Sequence, residues 1–246
     1  MALNLEKKAN KNSMETFNKK ENLRYERKFT TQNISKSAIL LMIKNHPAFF
    51  KEIFHPRQIN NIYLDTRGLK YYKNNVIGIS KRKKVRIRWY GDTFGELHKP
   101  KLEYKLKSGL LGDKWTFLLN DFEFNSGFSK ILLFESLKKS GLDEVIMEDL
   151  KTLEPSLLNT YQRTYFLSAD KKFRLTLDEK MSYYFIQNTN NQFLTKEVQS
   201  EACILELKYL PEHDNEAKTI SNAIPYRLDK SSKYVNGIDL MKIRQR

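Results

Sequence analysis

The residues best suited to chemistry in this sequence are arginines and lysines that occupy alternate positions in short, otherwise apolar stretches. In KKVRIRWY, residues 83–90, Arg86 and Arg88 alternate with valine, isoleucine and tryptophan. Because successive side chains of a strand point to opposite faces, the two arginines share one face of a predicted strand. A guanidinium group makes two parallel hydrogen bonds to phosphate or carboxylate oxygens, so an inward arginine face would enclose an anionic ligand.

The same alternation of charged and bulky apolar residues recurs along the chain. It is found at Leu23–Phe29, Lys101–Lys107, Lys172–Met181 and Ala202–Leu210. On pattern alone, a half-buried sheet whose charged face meets solvent is the simpler interpretation. The alternative is a closed antiparallel barrel, whose charged faces line an interior and whose apolar faces are covered by helices.

Helix signals between the strands favour the second interpretation, because helices with apolar stripes need an apolar surface to cover. The predicted helices are a Ser35- or Ser37-capped segment, a Ser129-capped segment ending at Gly141, Asp143–Leu153, and a segment that starts at Pro211. The second helix has a predicted stripe of Ile131, Phe134 and Leu137. The predicted fold class is therefore α+β, with a closed eight-stranded antiparallel β-barrel and helices packed outside.

Composition limits the partners and the compartment. The chain has 246 residues and a formal net charge of +15, which suggests a polyanionic partner such as nucleic acid, a phosphate chain or anionic lipid. Its one cysteine, Cys203, cannot form an internal disulfide, and no segment has the length of a transmembrane helix or the features of a signal peptide. We expect a cytoplasmic protein with a flexible basic tail at residues 1–20 and one domain at residues 21–246.

An interior lined by the charged strand faces would carry more cations than anions. The candidate inward cations are Arg24, Lys28, Arg86, Arg88, Lys105, Lys107, Arg163, Arg174, Lys208 and Lys233. The candidate inward anions are Glu26, Glu103, Asp178 and Glu206. Such a density of positive charge requires a polyanion or counter-ions. Carboxylates beside arginines suit phosphate when Mg²⁺ or Mn²⁺ bridges them, so the composition suggests a triphosphate or longer chain with a divalent metal.

Eight motifs, taken in order, carry a family resemblance. They are RYERKF (24–29), NIYLDTRGLKYY (61–72), VRIRWYG (85–91), KLEYKLKSG (101–109), YQRTYF (161–166), FRLTLDEKM (173–181), ILELKY (204–209) and DKSSKYVNGI (229–238). In this order the chain resembles the VTC domain of polyphosphate polymerases, within the triphosphate tunnel (CYTH-like) superfamily.

The resemblance implies an eight-stranded tunnel that transfers the γ-phosphoryl group of ATP to a growing inorganic polyphosphate chain, with Mn²⁺ or Mg²⁺. The implied phosphate-binding residues are Lys28, Arg86, Arg88, Lys105, Lys114, Tyr161, Arg163, Arg174, Lys208, Lys230, Ser232 and Lys233. Among these, the implied catalytic residues are Lys233, Arg86, Arg88, Arg163 and Lys28. Glu206 would hold the metal. Lys233, in a polar segment with loop character, would lie at the terminal phosphate.

The resemblance leaves other functions open. Many hydrolytic members of the superfamily open with Glu-x-Glu-x-Lys, whereas Arg24 takes the first position here and favours a one-metal site. The alternatives are a tunnel triphosphatase acting on tripolyphosphate or a triphosphate ester, and a non-catalytic polyphosphate-binding module. Nucleic acid is not expected, because the aromatic residues mostly fall on the uncharged strand faces. Two arrangements stay open: a lone soluble polymerase domain, or a domain that needs a membrane-protein partner to export its product. The run Lys81–Lys84 is interpreted as a tunnel mouth or a solvated loop.

Overall fold

The computed structural model of the protein describes residues 24–108, 111–187, 191–193 and 196–244. The predicted tail at residues 1–20 lies outside these residues, and the single domain at 21–246 stays a prediction. No helix within the described residues has both the length and the apolar character needed to cross a membrane.

Strands dominate the chain, as the alternating patterns predict. The strands are β1 (Tyr25–Gln32), β2 (Lys51–Asp65), β3 (Lys81–Tyr90), β4 (Gly95–Leu97), β5 (Lys101–Ser108), β6 (Leu111–Leu118), β7 (Phe122–Phe124), β8 (Glu154–Leu167), β9 (Arg174–Phe185), β10 (Lys196–Gln199) and β11 (Ala202–Tyr209). The helices are α1 (Lys36–Lys44), α2 (Lys70–Val76), α3 (Lys130–Lys139), α4 (Glu144–Lys151), α5 (Asp214–Asn222) and α6 (Lys233–Arg244).

Short polar side chains begin the predicted helices. Ser35 accepts a hydrogen bond from an amide in the first turn of α1, and Ser129 and Asp143 do the same for α3 and α4. The predicted stripe of α3 is wrong at one position, because Ile131 is 71% exposed. Leu133 is buried together with Leu137 instead, since residues four apart lie on the same side of a helix.

The main sheet is antiparallel and has the strand order β1-β11-β9-β8-β2-β3-β5-β6, with β10 paired to β9. The predicted closed barrel is wrong: within the described part of the chain, β1 and β6 are the two ends of this order and do not pair. The free edge of β1 is partly occupied by the segment that precedes α6. Leu228 forms a bridge with Phe29, and the Asp229 amide donates to the carbonyl of Lys28 at 2.8 Å. This local pairing takes the place of closure.

The sheet nevertheless curves strongly, and this curvature brings together side chains from its two ends. Glu26 on β1 lies 3.7 Å from the Lys105 ammonium on β5. We call the concave side the inner face, and it carries Arg86, Arg88 and Arg163.

The outer face is apolar and is covered by helices on both halves of the sheet. On one half, residues of β3 and β5 pack against α3 and α4; the buried set includes Val85, Ile87, Trp89, Leu102, Leu133, Leu137, Ile146 and Leu150. On the other half, residues of β1, β9 and β11 pack against α1 and α5; this set includes Phe29, Leu175, Leu177, Leu205, Leu207, Ile39, Ile43 and Ala217. The arginines of β3 therefore face inward.

Part of the inner face is apolar and is covered by α6. The cluster there comprises Ile59, Tyr63, Leu157, Tyr161, Tyr183, Tyr234, Ile238 and Met241, among others. The expectation that Lys233 lies in a loop is wrong, because it is the first residue of α6. The polar segment forms a helix because the apolar residues within it, such as Tyr234, Ile238 and Met241, pack against the inner face of the sheet.

Gly237 allows α6 to approach the sheet closely. A Cβ atom at Gly237 would lie 2.5 Å from side-chain carbons of Leu157 and Tyr183. We expect Gly237→Ala to lower the free energy of unfolding by about 1–3 kcal/mol, because the helix must move away from the sheet. Urea denaturation measures this change. Gly68→Ala is the matched control, since a Cβ atom there meets nothing within 4 Å. Equal stability of the two variants would contradict the close packing of α6.

Candidate functional site

Strand pairing places the charged residues side by side on the inner face. On one half of the sheet, Lys84 is paired with Lys105, which is paired in turn with Lys114. On the other half, Lys28 is paired with Glu206. Directly opposed residues of antiparallel strands point to the same face, so these side chains converge. We call the charged region of the inner face the basic cleft.

Glu103 holds three cations on one side of the cleft. Its carboxylate lies 2.6 Å from the Arg86 guanidinium, 3.8 Å from that of Arg88 and 3.1 Å from the Lys114 ammonium. Burial acts to raise the pKa of Glu103, but Arg86 and Arg88 outweigh it and hold the pKa well below its usual range. Glu103 is therefore an anion that fixes these cations in place.

Asp178 connects the sheet to α6. The Arg163 guanidinium donates to both of its oxygens, at 2.5 and 2.6 Å, and the Lys233 ammonium donates to one of them at 2.5 Å. Burial opposes ionisation, but Arg163 and Lys233 lower the pKa of Asp178 to about 2. The carboxylate stays charged at neutral pH and holds Lys233 beside Arg163.

Glu206 lies between cations from three strands. Its oxygens are 3.0 Å from Lys208, 3.5 Å from Lys28 and 3.6 Å from Arg163. Burial acts to raise the pKa of Glu206, but these cations hold it well below its usual range. Conversely, Glu206 helps to raise the pKa of Lys28 against the effect of burial.

Two lysines of the cleft have unusually low pKa values. Burial lowers the pKa of Lys105 to about 7, and Arg86 and Lys208 add to the effect, while Glu26 and Glu206 oppose it. Burial also lowers the pKa of Lys84 well below its usual value, and Lys28 and Lys105 add to this. The cleft therefore contains ammonium groups that need an additional negative charge to stay protonated.

Lys84 is a residue of the cleft that sequence reasoning missed. It donates to the Ser232 hydroxyl at 2.9 Å. Of the two interpretations of the run Lys81–Lys84, the solvated loop is wrong, because the run belongs to β3, and the position at a mouth stays a prediction. The missed signal is positional, because Lys84 is two residues before Arg86 and therefore shares its face.

Tyr161 lies on the floor of the cleft. Its hydroxyl accepts a hydrogen bond from Arg88 at 3.2 Å, and the Lys233 ammonium lies 4.7 Å from the centre of its ring. Burial acts to raise the pKa of Tyr161, but Arg163 and Arg88 outweigh it and lower the pKa. The tyrosine therefore packs among cations that belong to β3, β8 and α6.

The structure brings together most of the residues expected at the site. Those in the cleft are Lys28, Arg86, Arg88, Lys105, Lys114, Tyr161, Arg163, Glu206, Lys208, Ser232 and Lys233. Arg174 is exposed and is paired with Lys208, which places it on the same face near one end. Lys230 is also exposed. Burial lowers the pKa of Lys107, and the nearby cations Arg82, Lys28 and Lys230 lower it further.

Glu206 was expected to hold a divalent metal. Its oxygens already face three cations, so the protein alone does not form a preorganised metal site there. Next to it, the buried hydroxyl of Thr176 has no hydrogen-bond partner among the described residues. One carboxylate and one hydroxyl suit Mg²⁺ or Mn²⁺ when substrate phosphates supply most other ligands. The residues therefore fit a metal that is held largely by phosphate.

A second group of metal-type side chains lies outside the cleft. Ligand atoms of Glu96, His98 and Asp121 are all within 4.8 Å of one another. These residues are exposed and belong to the region of the small β4–β7 sheet. His98 and Asp121 already form a hydrogen bond to each other, at 3.0 Å.

The chain is similar to several solved structures at low sequence identity. The PH1819 protein from Pyrococcus horikoshii OT3 is 14% identical, with a TM-score of 0.47, over 89% of this chain and 99% of that one. A putative adenylyl cyclase from Hippeastrum, HpAC1, described as having a dominant triphosphatase activity, is 14% identical, with a TM-score of 0.48, over 87% and 95%. A putative adenylate cyclase from Vibrio parahaemolyticus is 11% identical, with a TM-score of 0.44, over 81% and 84%.

No curated protein sequence matches the chain. The sequence model of the VTC domain, however, matches residues 23–242, which include every strand and nearly all of α6. The chain therefore belongs to the VTC domain family.

Proposed function

We propose that the protein is a polyphosphate polymerase that binds ATP by its phosphates in the basic cleft and transfers the γ-phosphoryl group to a growing polyphosphate chain. Membership of the VTC domain family supports a function that involves triphosphate or polyphosphate. The observation that carries the proposal is the convergence of cations from β1, β3, β5, β6, β8, β11 and α6 on one cleft.

The cleft suits phosphoryl transfer because that reaction needs alignment and neutralisation of charge more than covalent help from the protein. Arg86 and Arg88 on β3 would bind phosphate oxygens from one side, and Arg163 from another. The carboxylates of Glu103 and Asp178 already fix these guanidinium groups. Donors that are fixed before the reaction stabilise the transition state without reorganising during it.

Lysines complete the proposed set. Lys28, Lys105, Lys114 and Lys208 would bind oxygens along the phosphate chain. Lys233, held at the start of α6 by Asp178, would bind the terminal phosphate, with Ser232 beside it. Arg174 and Lys230, at the periphery, would guide the polyanion into or out of the cleft.

When bound, Mg²⁺ or Mn²⁺ would neutralise phosphate charge and make the departing diphosphate a better leaving group. Glu206 is the residue that would hold the metal, together with substrate phosphates.

The carboxylates of the cleft are poor general bases for hydrolysis, and a bound polyanion would protonate Lys105, whose pKa of about 7 otherwise suits that role. Attack by water benefits from a general base with a pKa near the working pH. Burial opposes ionisation of Glu103, Asp178 and Glu206, yet their cation partners keep the pKa of each below its usual value, so they are weak bases. A terminal phosphate of polyphosphate is already an anion and needs no such base to attack.

Purified protein incubated with ATP and Mn²⁺, followed by electrophoresis for polyphosphate, tests the proposal. A ladder of polyphosphate products is expected. Free phosphate without a ladder would support the triphosphatase, and the absence of both products would support a binding module. We expect Arg88→Ala and Lys233→Ala to lower kcat/KM at least about a hundredfold, because each removes a fixed donor to phosphate. Full activity of both variants would contradict the proposed roles.

Neighbouring lysines of β3 allow a sharper test of which face binds phosphate. The ammonium group of Lys83 lies on the outer face, 2.6 Å from Asp149, whereas that of Lys84 lies in the cleft. We expect Lys84→Ala to weaken the binding of tripolyphosphate about tenfold, since a hydrogen bond to a charged group is lost. Lys83→Ala is the matched control and should bind as the wild type does. Calorimetry of both variants measures this, and equal weakening would indicate binding by net charge alone.

Binding should also change the protonation of Lys105. Its pKa of about 7, which is due first to burial, leaves the amine mostly neutral at pH 8. A bound polyanion favours the ammonium form, so the protein should take up protons when tripolyphosphate binds at pH 8. Calorimetry in two buffers that differ in ionisation enthalpy measures the uptake. We expect Lys105→Arg to reduce it by roughly one proton, because arginine is already charged. If Lys105→Arg leaves the uptake unchanged, the role of Lys105 is refuted. If the uptake falls, we expect the part that remains to come from Lys84.

A further inference from the structure

Two aromatic rings and an arginine lie together in an exposed position where β2 meets β8. The rings of Phe54 and Tyr165 pack edge to face, with centroids 5.8 Å apart. The guanidinium carbon of Arg57 lies 4.7 Å from the centre of the Phe54 ring and 5.7 Å from that of Tyr165. Phe54 is 47% exposed. The proposed binding of phosphate does not use this group.

The group belongs to the inner face and adjoins the basic cleft. Phe54 is paired with Tyr165, and Tyr165 with Thr176, which is paired in turn with Glu206. These residues form one continuous row across four strands on the face that carries Glu206. The rings therefore border the part of the cleft where Glu206 lies.

The spacing suits a ligand that extends beyond the cleft. Tyr165 follows Arg163 by two residues, a separation of about 7 Å along a strand. Tyr90, half exposed, likewise follows Arg88 by two residues, and it is close enough to affect the pKa of Tyr165, which burial raises. A sugar ring is of the size that fits between a phosphate at these arginines and a planar ring at Tyr165.

The backbone of β2 is irregular where it presents the group. Residues three apart in a regular strand point to opposite faces. Register shifts occur between Glu52 and Phe54 and between Phe54 and Arg57, which lets Arg57 lie over the Phe54 ring. Bulges of this kind often re-aim side chains next to functional sites.

We propose that Phe54, Arg57 and Tyr165 form the binding site for the nucleobase of the donor nucleoside triphosphate. This inference rests on the proposed function, because it requires the triphosphate to lie in the basic cleft. Exposed aromatic faces and a guanidinium group can stack on any of the planar nucleobases. Purines present the larger ring area, so ATP and GTP should both bind more tightly than CTP or UTP.

A comparison of two ligands tests the site, because tripolyphosphate lacks a base. We expect Phe54→Ala and Arg57→Ala to raise the dissociation constant of ATP about tenfold and to leave that of tripolyphosphate unchanged. Unchanged tripolyphosphate binding also reports that the variants fold. Phe49→Ala is the control, since Phe49 is another exposed phenylalanine, at 68%, and precedes β2. It should bind both ligands as the wild type does.

The outcomes separate this inference from the proposed function. If the wild type binds both ligands and the variants lose neither, or lose both equally, the base site is overturned while the phosphate site stands. If the wild type binds neither ligand, the proposed function fails and the base site fails with it. Selective loss of ATP supports the base site.

Discussion

The basic cleft depends on buried carboxylates that keep like charges close together. Glu103, Asp178 and Glu206 each lie between cations from different elements of the structure. Removing one member of such a buried group typically costs about 3–5 kcal/mol, because the remaining charges lose their partner. The carboxylates therefore decide where the guanidinium and ammonium groups that contact them lie. Their presence beside arginines has this structural reason, whether or not a metal is also bound.

A charged inner face determines the rest of the architecture. The apolar residues of the same strands must point outward, where α1, α3, α4 and α5 bury them. The sheet is thus covered by helices on the side that a simple antiparallel sheet would expose. Where α6 enters, the inner face becomes apolar. The fold and the site are two consequences of one alternating pattern.

The sequence was informative where the controlling interaction is local. Alternate residues of a strand share a face, so the sequence predicts Arg86 and Arg88 on the face opposite to Ile87, and the burial of Ile87 in the outer core confirms this. The same alternation applies to Lys84, but the surrounding run of basic residues concealed it. Closure depends on which segment reaches the edge of β1, and the pairing of Phe29 with Leu228 joins residues far apart in the chain. No local pattern carries that information.

The position of Lys233 has a different origin from that of the other cations. Strand pairing fixes Lys28 and Arg163, whereas Lys233 depends on how α6 packs. The Tyr234 hydroxyl donates to Asp65 at 2.6 Å, and Asp65 also accepts from the amides of Tyr71 and Tyr72 at the start of α2. The buried carboxylate of Asp65 thus joins α2 to the first turn of α6, one residue from Lys233. A carboxylate on the sheet holds each side of this turn, Asp65 at Tyr234 and Asp178 at Lys233, so the sheet fixes the position of Lys233 although no strand carries it.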